Sequence, residues 1–165
     1  MSSVQESIDV SVPVRTAYDQ WTQFADFPQF MEGVEEIRQI DDTHLHWRTR
    51  IGGVEREFDA EITEQHPDHR VAWRATSGAA NAGVVTFHRL GDDQTRVMVQ
   101  IDAEPEGAIE KAGDALGFLK RRVKGDLERY RELVESRGAA SGGWRGEVEQ
   151  PGETTAGPSG APTVR

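Results

Sequence analysis

The stretch LHWRTRIGGVEREFDA, Leu45 to Ala60, consists of two runs of alternating character on either side of Gly52-Gly53. A period of two places successive side chains on opposite faces of a strand. Two glycines between such runs favour a two-residue hairpin loop. With that loop, Ile51 faces Val54, Arg50 faces Glu55, Arg48 faces Glu57, Trp47 faces Phe58, His46 faces Asp59 and Leu45 faces Ala60. One face then collects Leu45, Trp47, Val54, Phe58 and Ala60, and the other a ladder of opposite charges. A slip of one residue would turn the apolar set into water.

The next turn agrees. Taking residues 66–69 (HPDH) as a loop pairs Ile62 with Trp73 and Ala60 with Ala75 on the apolar face, and Glu61 with Arg74 on the other. Further turn signals at 41–43 (DDT), 77–83 (SGAANAG) and 91–94 (GDDQ) divide the middle of the chain into an antiparallel meander. The run 95–103 offers Val97, Val99, Ile101 and Ala103 to one face, whereas 83–90 is apolar on both and leaves its orientation open. Upstream, Ile8, Val10 and Val12 alternate with Asp9 and Ser11 as a first strand ended by Pro13.

Between that strand and the meander the spacing turns helical. Val14, Ala17, Tyr18 and Trp21 share one face of a short helix, and Phe24, Phe27, Phe30 and Met31 belong to a second that Pro28 bends or opens. Rings at intervals of three from Trp21 to Phe30 are a heavy local investment in a chain only 7% aromatic. After Pro105, Ile109, Ala112, Leu116, Leu119, Val123, Leu127, Tyr130 and Val134 form a continuous stripe on a long helix over 107–137, a natural cover for the apolar sheet face. Gly107, Gly113 and Gly117 weaken its first half and suggest close packing or a ligand-admitting segment. From Ala139 the composition is rich in Gly, Pro and Ala, so a disordered tail over 139–165 is expected beside a domain of 1–138. The fold class is α+β.

With 29 acidic and 19 basic residues among 165, the net charge of -10 opposes a broad role on nucleic acid or anionic membrane. The absence of cysteine excludes disulfides, thiolate metal sites and cysteine nucleophiles. No basic and apolar leader and no run of about 18 apolar residues is present, so a cytoplasmic location and no integral membrane segment are expected.

The order strand, two short helices, meander and long helix, with VPVRTAYDQWTQFADFPQFM at 12–31, the hairpin at Gly52-Gly53 and EITEQHPDHRVAWR at 61–74, resembles the START-like helix-grip (SRPBCC) superfamily. Within it the pattern is similar to the polyketide cyclase/dehydrase and coenzyme Q-binding START-like branch, over residues 4–137. The resemblance implies a curved antiparallel sheet of about seven strands around the C-terminal helix, with a cleft between them for a hydrophobic small molecule. On that frame Trp21 belongs to the core, and Phe27, Phe30, Met31, Trp47, Phe58, Trp73, Phe87, Leu116 and Leu119 are the expected ligand-binding residues. Aromatase/cyclases of this branch associate catalysis with an arginine just before the turn corresponding to His66-Pro67-Asp68. Here that position is Gln65, which can donate a hydrogen bond but carries no charge to stabilise an enolate. An inward Arg56 or Arg74 could substitute, and Tyr18 offers a hydroxyl.

The remaining chemistry is sparse. No nucleophile elbow, P-loop or dinucleotide fingerprint is present, so neither a catalytic set nor a cofactor is assigned. His44 and His46 share a strand face but lack a third metal ligand, and His46 already faces Asp59. Glu55, Glu57, Asp59 and Glu61 invite an acid/base reading, which their cross-strand partners answer as a solvated ladder. Lys120, Arg121, Arg122 and Lys124 form a basic patch beside Phe118, either a solvated helix face or a docking site for an acyl carrier protein, a lipid headgroup or a second subunit. Three functions remain open: carrier of a polyketide, quinone or lipid-like molecule; polyketide aromatase/cyclase; and protein-interaction module.

Overall fold

Hairpins with the two registers set out above propagate into a single sheet. The computed structural model describes residues 2–51, 53–77, 81–103, 115–137, 139–140 and 142–148. Strand β1 (Ser2–Val10) leads through helix α1 (Val14–Trp21) and a 3-10 helix (Phe24–Gln29) into β2 (Val34–Gln39), β3 (His44–Ile51), β4 (Val54–His66), β5 (Arg70–Ala75), β6 (Asn81–Gly91) and β7 (Gln94–Ala103). Helix α2 (Ala115–Arg137) follows. The seven strands form one antiparallel sheet in the order β1-β7-β6-β5-β4-β3-β2. Of the helix expected over 107–137, residues 107–114 lie outside the described residues, as do Gly107 and Gly113.

The β3–β4 register is the one read from the sequence, from Ile51 opposite Val54 to Leu45 opposite Ala60. In β4–β5, Ile62 faces Trp73, Glu61 faces Arg74 and Ala60 faces Ala75. Gly53 closes the β3–β4 turn with a φ of 80°, a value that suits glycine. Val54, expected on the apolar face, stands at the hairpin tip and is exposed. The orientation left open for β6 is resolved: Val85 and Phe87 are buried while His88 points to solvent.

Phe24–Gln29 is a 3-10 helix rather than an α-helix. Three residues per turn bring side chains at i and i+3 into line, so Phe24, Phe27 and Phe30 meet in a row, edge-to-face and then tilted, with ring centroids 5.2 Å apart at both steps. Pro28 lies inside this element. Trp21 meets the row from α1, and α2 closes over it through Tyr130, whose ring is 5.0 Å from Trp21 and 5.4 Å from Phe30. The Tyr130 hydroxyl donates to the Ala17 carbonyl at 2.6 Å, so full burial strands no polar group. Val123, Leu127 and Val134 complete the buried side of α2.

On the outer face the charges pair diagonally as well as directly. His46 lies between Asp59 (Nδ1 to Oδ1, 2.7 Å) and Glu57 (Nε2 to Oε1, 2.9 Å). Arg48 reaches not Glu57 but Glu35 and Glu36 on β2, at 3.4 and 3.3 Å.

Part of the segment expected to be a disordered tail, residues 142–148, lies against the free edge of β4 beyond the start of β3. Gln65 and Val148 exchange both backbone hydrogen bonds, at 2.8 and 2.9 Å. Arg145 reaches Asp19 at 2.5 Å and Asp68 at 2.7 Å, and its guanidinium carbon lies 5.5 Å from the centre of the Tyr18 ring. The Trp144 amide donates to the Thr22 hydroxyl at 3.1 Å. This strap ties α1 to the end of β4, and β-edge pairing of this kind removes an exposed row of backbone groups.

Two outcomes follow from these contacts. Arg145→Ala leaves Asp19 and Asp68 facing each other without their shared cation, with an expected loss of about 1 kcal/mol, measurable by urea denaturation; an unchanged midpoint would show that the strap adds no stability. The hydrogen bonds that the protonated His46 ring donates to Asp59 and then Glu57 raise its pKa from the ordinary value of 6.5. A raised folded-state pKa stabilises fully below the unfolded value and is lost as pH rises through the folded one. The melting temperature of the native chain should therefore fall relative to His46→Gln as pH increases from about 6 to about 8.5.

Candidate functional site

A cavity of ≈ 100 Å³ lies between the sheet and α2. Trp21 and Phe30 form its back, Trp47, Phe58 and Trp73 its sheet wall, Val99 and Ile101 its β7 side, and Leu119, Val123 and Leu127 its helix wall. Each position follows from strand parity or helical spacing. Trp47 and Phe58 are directly opposed on β3 and β4, and their rings stack with centroids 5.6 Å apart at 13°. Trp73 faces Gly83 on β6, and a Cβ at Gly83 would stand 2.4 Å from Cζ2 of that indole. Only the absence of a side chain lets the Trp73 ring lie flat across β6.

Five side chains bring a polar group to the site. Trp73 Nε1 donates to Asn81 Oδ1 at 3.2 Å. Arg122 and Asp126, one helical turn apart on α2, both line the cavity. Arg122 donates through Nε and Nη2 to the Glu32 carbonyl, at 3.2 and 2.9 Å. Asp126 Oδ1 accepts from the Glu32 amide at 2.9 Å and from Arg129 Nη2 at 2.5 Å. Burial pushes the Arg122 pKa down and the attraction of Asp126 resists it. Burial also pushes the Asp126 pKa up, against the Glu32 amide and the two arginines. Arg129 Nε further holds the Phe30 carbonyl at 2.9 Å. These groups therefore fasten the loop carrying Phe30 and Met31 to α2. The remaining one, Trp47, has a buried Nε1 with no hydrogen-bond partner among the described residues.

Residues 10–129 match the family described as polyketide cyclase/dehydrase and lipid transport. The chain belongs to this family. It is 62% identical over 149 residues to an uncharacterised 17.2 kDa protein of Streptomyces lincolnensis, covering 90% of this chain and 99% of that protein. Its fold is similar to that of a START superfamily protein from Mycobacterium smegmatis, with a TM-score of 0.65 at 15% identity over 83% of this chain and 97% of that one. It is also similar to the Zhui aromatase/cyclase of a Streptomyces species, with a TM-score of 0.67 at 14% identity over 86% and 98% of the two chains. The fold is the START-like helix-grip.

Within this fold the structure brings together Phe30, Met31, Trp47, Phe58, Trp73 and Leu119 of the residues singled out from the sequence. Two of the expected nine are not on the wall. Phe27 packs behind it, between Trp21, Phe24 and Phe30, because the 3-10 helix turns it inward. Phe87 packs against Tyr18 at 5.4 Å, on the far side of Trp21. The Leu116 side chain lies outside the described residues. Trp21, assigned to the core alone, is both core and wall.

Gln65, the position of the cyclase arginine, is also not on the wall. It is 1% exposed, and its Nε2 donates to the Tyr18 hydroxyl at 3.0 Å. Burial pushes the Tyr18 pKa up to about 12. Arg56 is exposed near the hairpin tip, and Arg74 is exposed and paired with Glu61 at 3.1 Å; neither lines the cavity. The arginine that does is Arg122, which the sequence reading placed in a basic surface patch. Its signal was its offset from the stripe: 122 and 126 sit one residue before 123 and 127, within the arc facing the sheet. The patch is correspondingly reduced, with Lys120 lying 3.9 Å from Glu6. Among the described residues no group of three or more His, Asp or Glu could hold a metal, and His44 pairs with Asp41 at 2.9 Å. No helix among them is long and apolar enough to cross a membrane.

Gly83→Ala should displace the Trp73 indole, break its bond to Asn81 and cost about 2 kcal/mol. Urea unfolding and near-UV circular dichroism would register both changes; a native near-UV spectrum with unchanged stability would contradict the packing described.

Proposed function

We propose that the protein binds a hydrophobic small molecule in the cavity between its sheet and α2, as a carrier or chaperone of a polyketide, quinone or lipid-like compound. The observation that carries this reading is the wall itself. Five aromatic side chains converge on one space, while the ionic groups beside it are tied to the backbone of residues 30–32. Such a site holds its guest by apolar area and shape, with few polar contacts to fix orientation. The cavity of ≈ 100 Å³ is smaller than the about 300–1,000 Å³ that ligand pockets usually span, so a guest of these classes requires side chains of the wall to move aside.

A second reading, aromatase/cyclase activity, is favoured by the presence of Arg122 and Asp126 on the wall and by the likeness to the Zhui aromatase/cyclase. Against it, both charges are engaged with Glu32 and Arg129, and the Gln65 and Tyr18 side chains hydrogen-bond each other away from the cavity. The carrier reading requires wall side chains to move aside for the guest but leaves these hydrogen bonds in place.

Native mass spectrometry of the purified protein, followed by denaturing extraction, tests the proposal. A co-purified hydrophobic compound is expected in the native chain and absent from Leu119→Trp, which fills the cavity from α2 while retaining the folded spectrum. A small-molecule-free mass, with no thermal shift from quinones, lipids or aromatic polyketides, would overturn it. Turnover of a poly-β-ketone that is lost in Asp126→Asn with binding retained would instead establish the enzyme.

A further inference from the structure

Strand β2 is an edge of the sheet, paired with β3 on one side and with no strand of the described residues on the other. Its open side can be read from its paired one. The Ile40 amide donates to the His44 carbonyl at 2.8 Å, so Ile40 turns its backbone groups toward β3, and by antiparallel alternation Arg38 does the same. Ile37 and Gln39 therefore turn their N–H and C=O groups to the free edge. An open groove runs along residues 35–40 there, flanked by Ala25 and Pro28 of the 3-10 helix. The opposite edge, β1, has α2 beside it: Lys120 lies 3.9 Å from Glu6, and the Ser11 amide donates to Glu135 at 2.8 Å. An edge with unpaired backbone groups is a template for another strand.

The residues of β2 select that strand. A bulge between Val34 and Glu36 confines regular pairing to residues 36–39. Laid antiparallel on a second copy of itself about Ile37, β2 sets Glu36 opposite the partner's Arg38 and Arg38 opposite the partner's Glu36. Opposite charges facing each other across a strand pair are favourable, and like charges are not. Centring the pair one residue to either side would set Glu36 against Glu36 or Arg38 against Arg38. The Ile37 centre also lets the two Ile37 residues exchange both backbone bonds, as their outward groups require. Arg38 is exposed and has no charged partner among the described residues. Glu36 lies 3.3 Å from Arg48 of its own chain, and the partner's Arg38 supplies it with a second cation.

We propose that the β2 edge is the interface of a symmetric homodimer, in which two copies pair antiparallel about Ile37 and join their sheets into one. Such a contact is self-complementary and closed by a two-fold axis. Ile40, 58% exposed, then lies alongside the start of the partner's β2. So short a pairing buries less than the about 1,000 Å² of a stable interface, so the dimer forms reversibly with concentration.

Sedimentation velocity of the full-length chain, from low-micromolar to near-millimolar concentration, tests this. The 18.3 kDa species should give way to one of twice that mass. Gln39→Pro removes an outward N–H at an exposed edge position and leaves the bonds to β3 in place. By symmetry the dimer loses that bond twice, so its dissociation constant should rise about tenfold or more. Arg38→Glu and Glu36→Lys should each weaken self-association, whereas an equimolar mixture of the two variants should recover it, because unlike charges then face each other at both positions. Where Glu36→Lys fails to fold against Arg48, Gln39→Pro and Arg38→Glu decide. A native chain that stays monomeric throughout would overturn the proposal and leave the edge to a strand of another protein. Dimerisation that survives Gln39→Pro, or a mixture that associates no better than its components, would place the contact on another surface and overturn it equally.

Discussion

The indole of Trp21 is the contact on which the architecture depends. Its ring lies 5.4 Å from Phe27, 5.9 Å from Phe30, 6.4 Å from Phe87 and 5.0 Å from Tyr130, and so joins α1, the 3-10 helix and its following residue, β6 and α2. Tilted and edge-to-face arrangements of this kind add directional preference to area burial, which fixes α2 at one distance from the sheet. Tyr130 can enter the cluster because its hydroxyl is satisfied by the Ala17 carbonyl. The cavity begins where this packing stops: Trp21 and Phe30 present one side to the cluster and the other to the open space.

The polar groups around that space follow the same logic. A loop at the mouth of a cavity has backbone groups that water would otherwise solvate. In residues 30–32 the Phe30 carbonyl goes to Arg129, the Glu32 carbonyl to Arg122 and the Glu32 amide to Asp126. Placing a carboxylate between two arginines lets all three be partly buried without an isolated charge. The arrangement holds Phe30 and Met31 in place and leaves the interior dominated by rings. Rigidity at this end and apolar character inside are thus consequences of one set of hydrogen bonds.

Much of the fold was legible in the sequence because strand parity is unforgiving: moving the β3–β4 register by one residue would expose Leu45, Trp47 and Phe58 together. Helical spacing gave less. Intervals of three among Trp21, Phe24, Phe27 and Phe30 fit both a loosely read α-helix and a 3-10 helix, and the two turn Phe27 to different neighbours; the 3-10 form sends it behind the wall. Phe87 belongs to a run apolar on both faces, so parity could give it neither a face nor a place along the strand, and its place on the expected wall followed from the resemblance alone. Arg122 was hidden by composition, since a run of four basic residues reads as surface until the adjacent stripe is drawn around the helix. The segment 142–148 carried few apolar residues, and its anchoring depends on Arg145 and two backbone bonds, which hydrophobic patterning does not register.

The two ends of the sheet's concave side consequently have different characters. At the end of β4, Gln65 is sealed by Tyr18 below and Val148 beside it, and Arg145 brings its charge to Asp19 and Asp68 rather than to any open space. The position that the resemblance to cyclases marks for chemistry is here a structural joint between α1, β4 and the C-terminal strap. The Gln65 amide donates to the Tyr18 hydroxyl while its buried Oε1 has no partner among the described residues; leaving a neutral oxygen unpaired costs less than burying a guanidinium with no acid among its observed partners. Toward the other end, Trp21, Phe30, Trp47, Phe58 and Trp73 face the space between sheet and α2, and Arg122 and Asp126 beside it are spent on the backbone of Glu32, so the charges there fasten a loop and leave the apolar surfaces to shape the space.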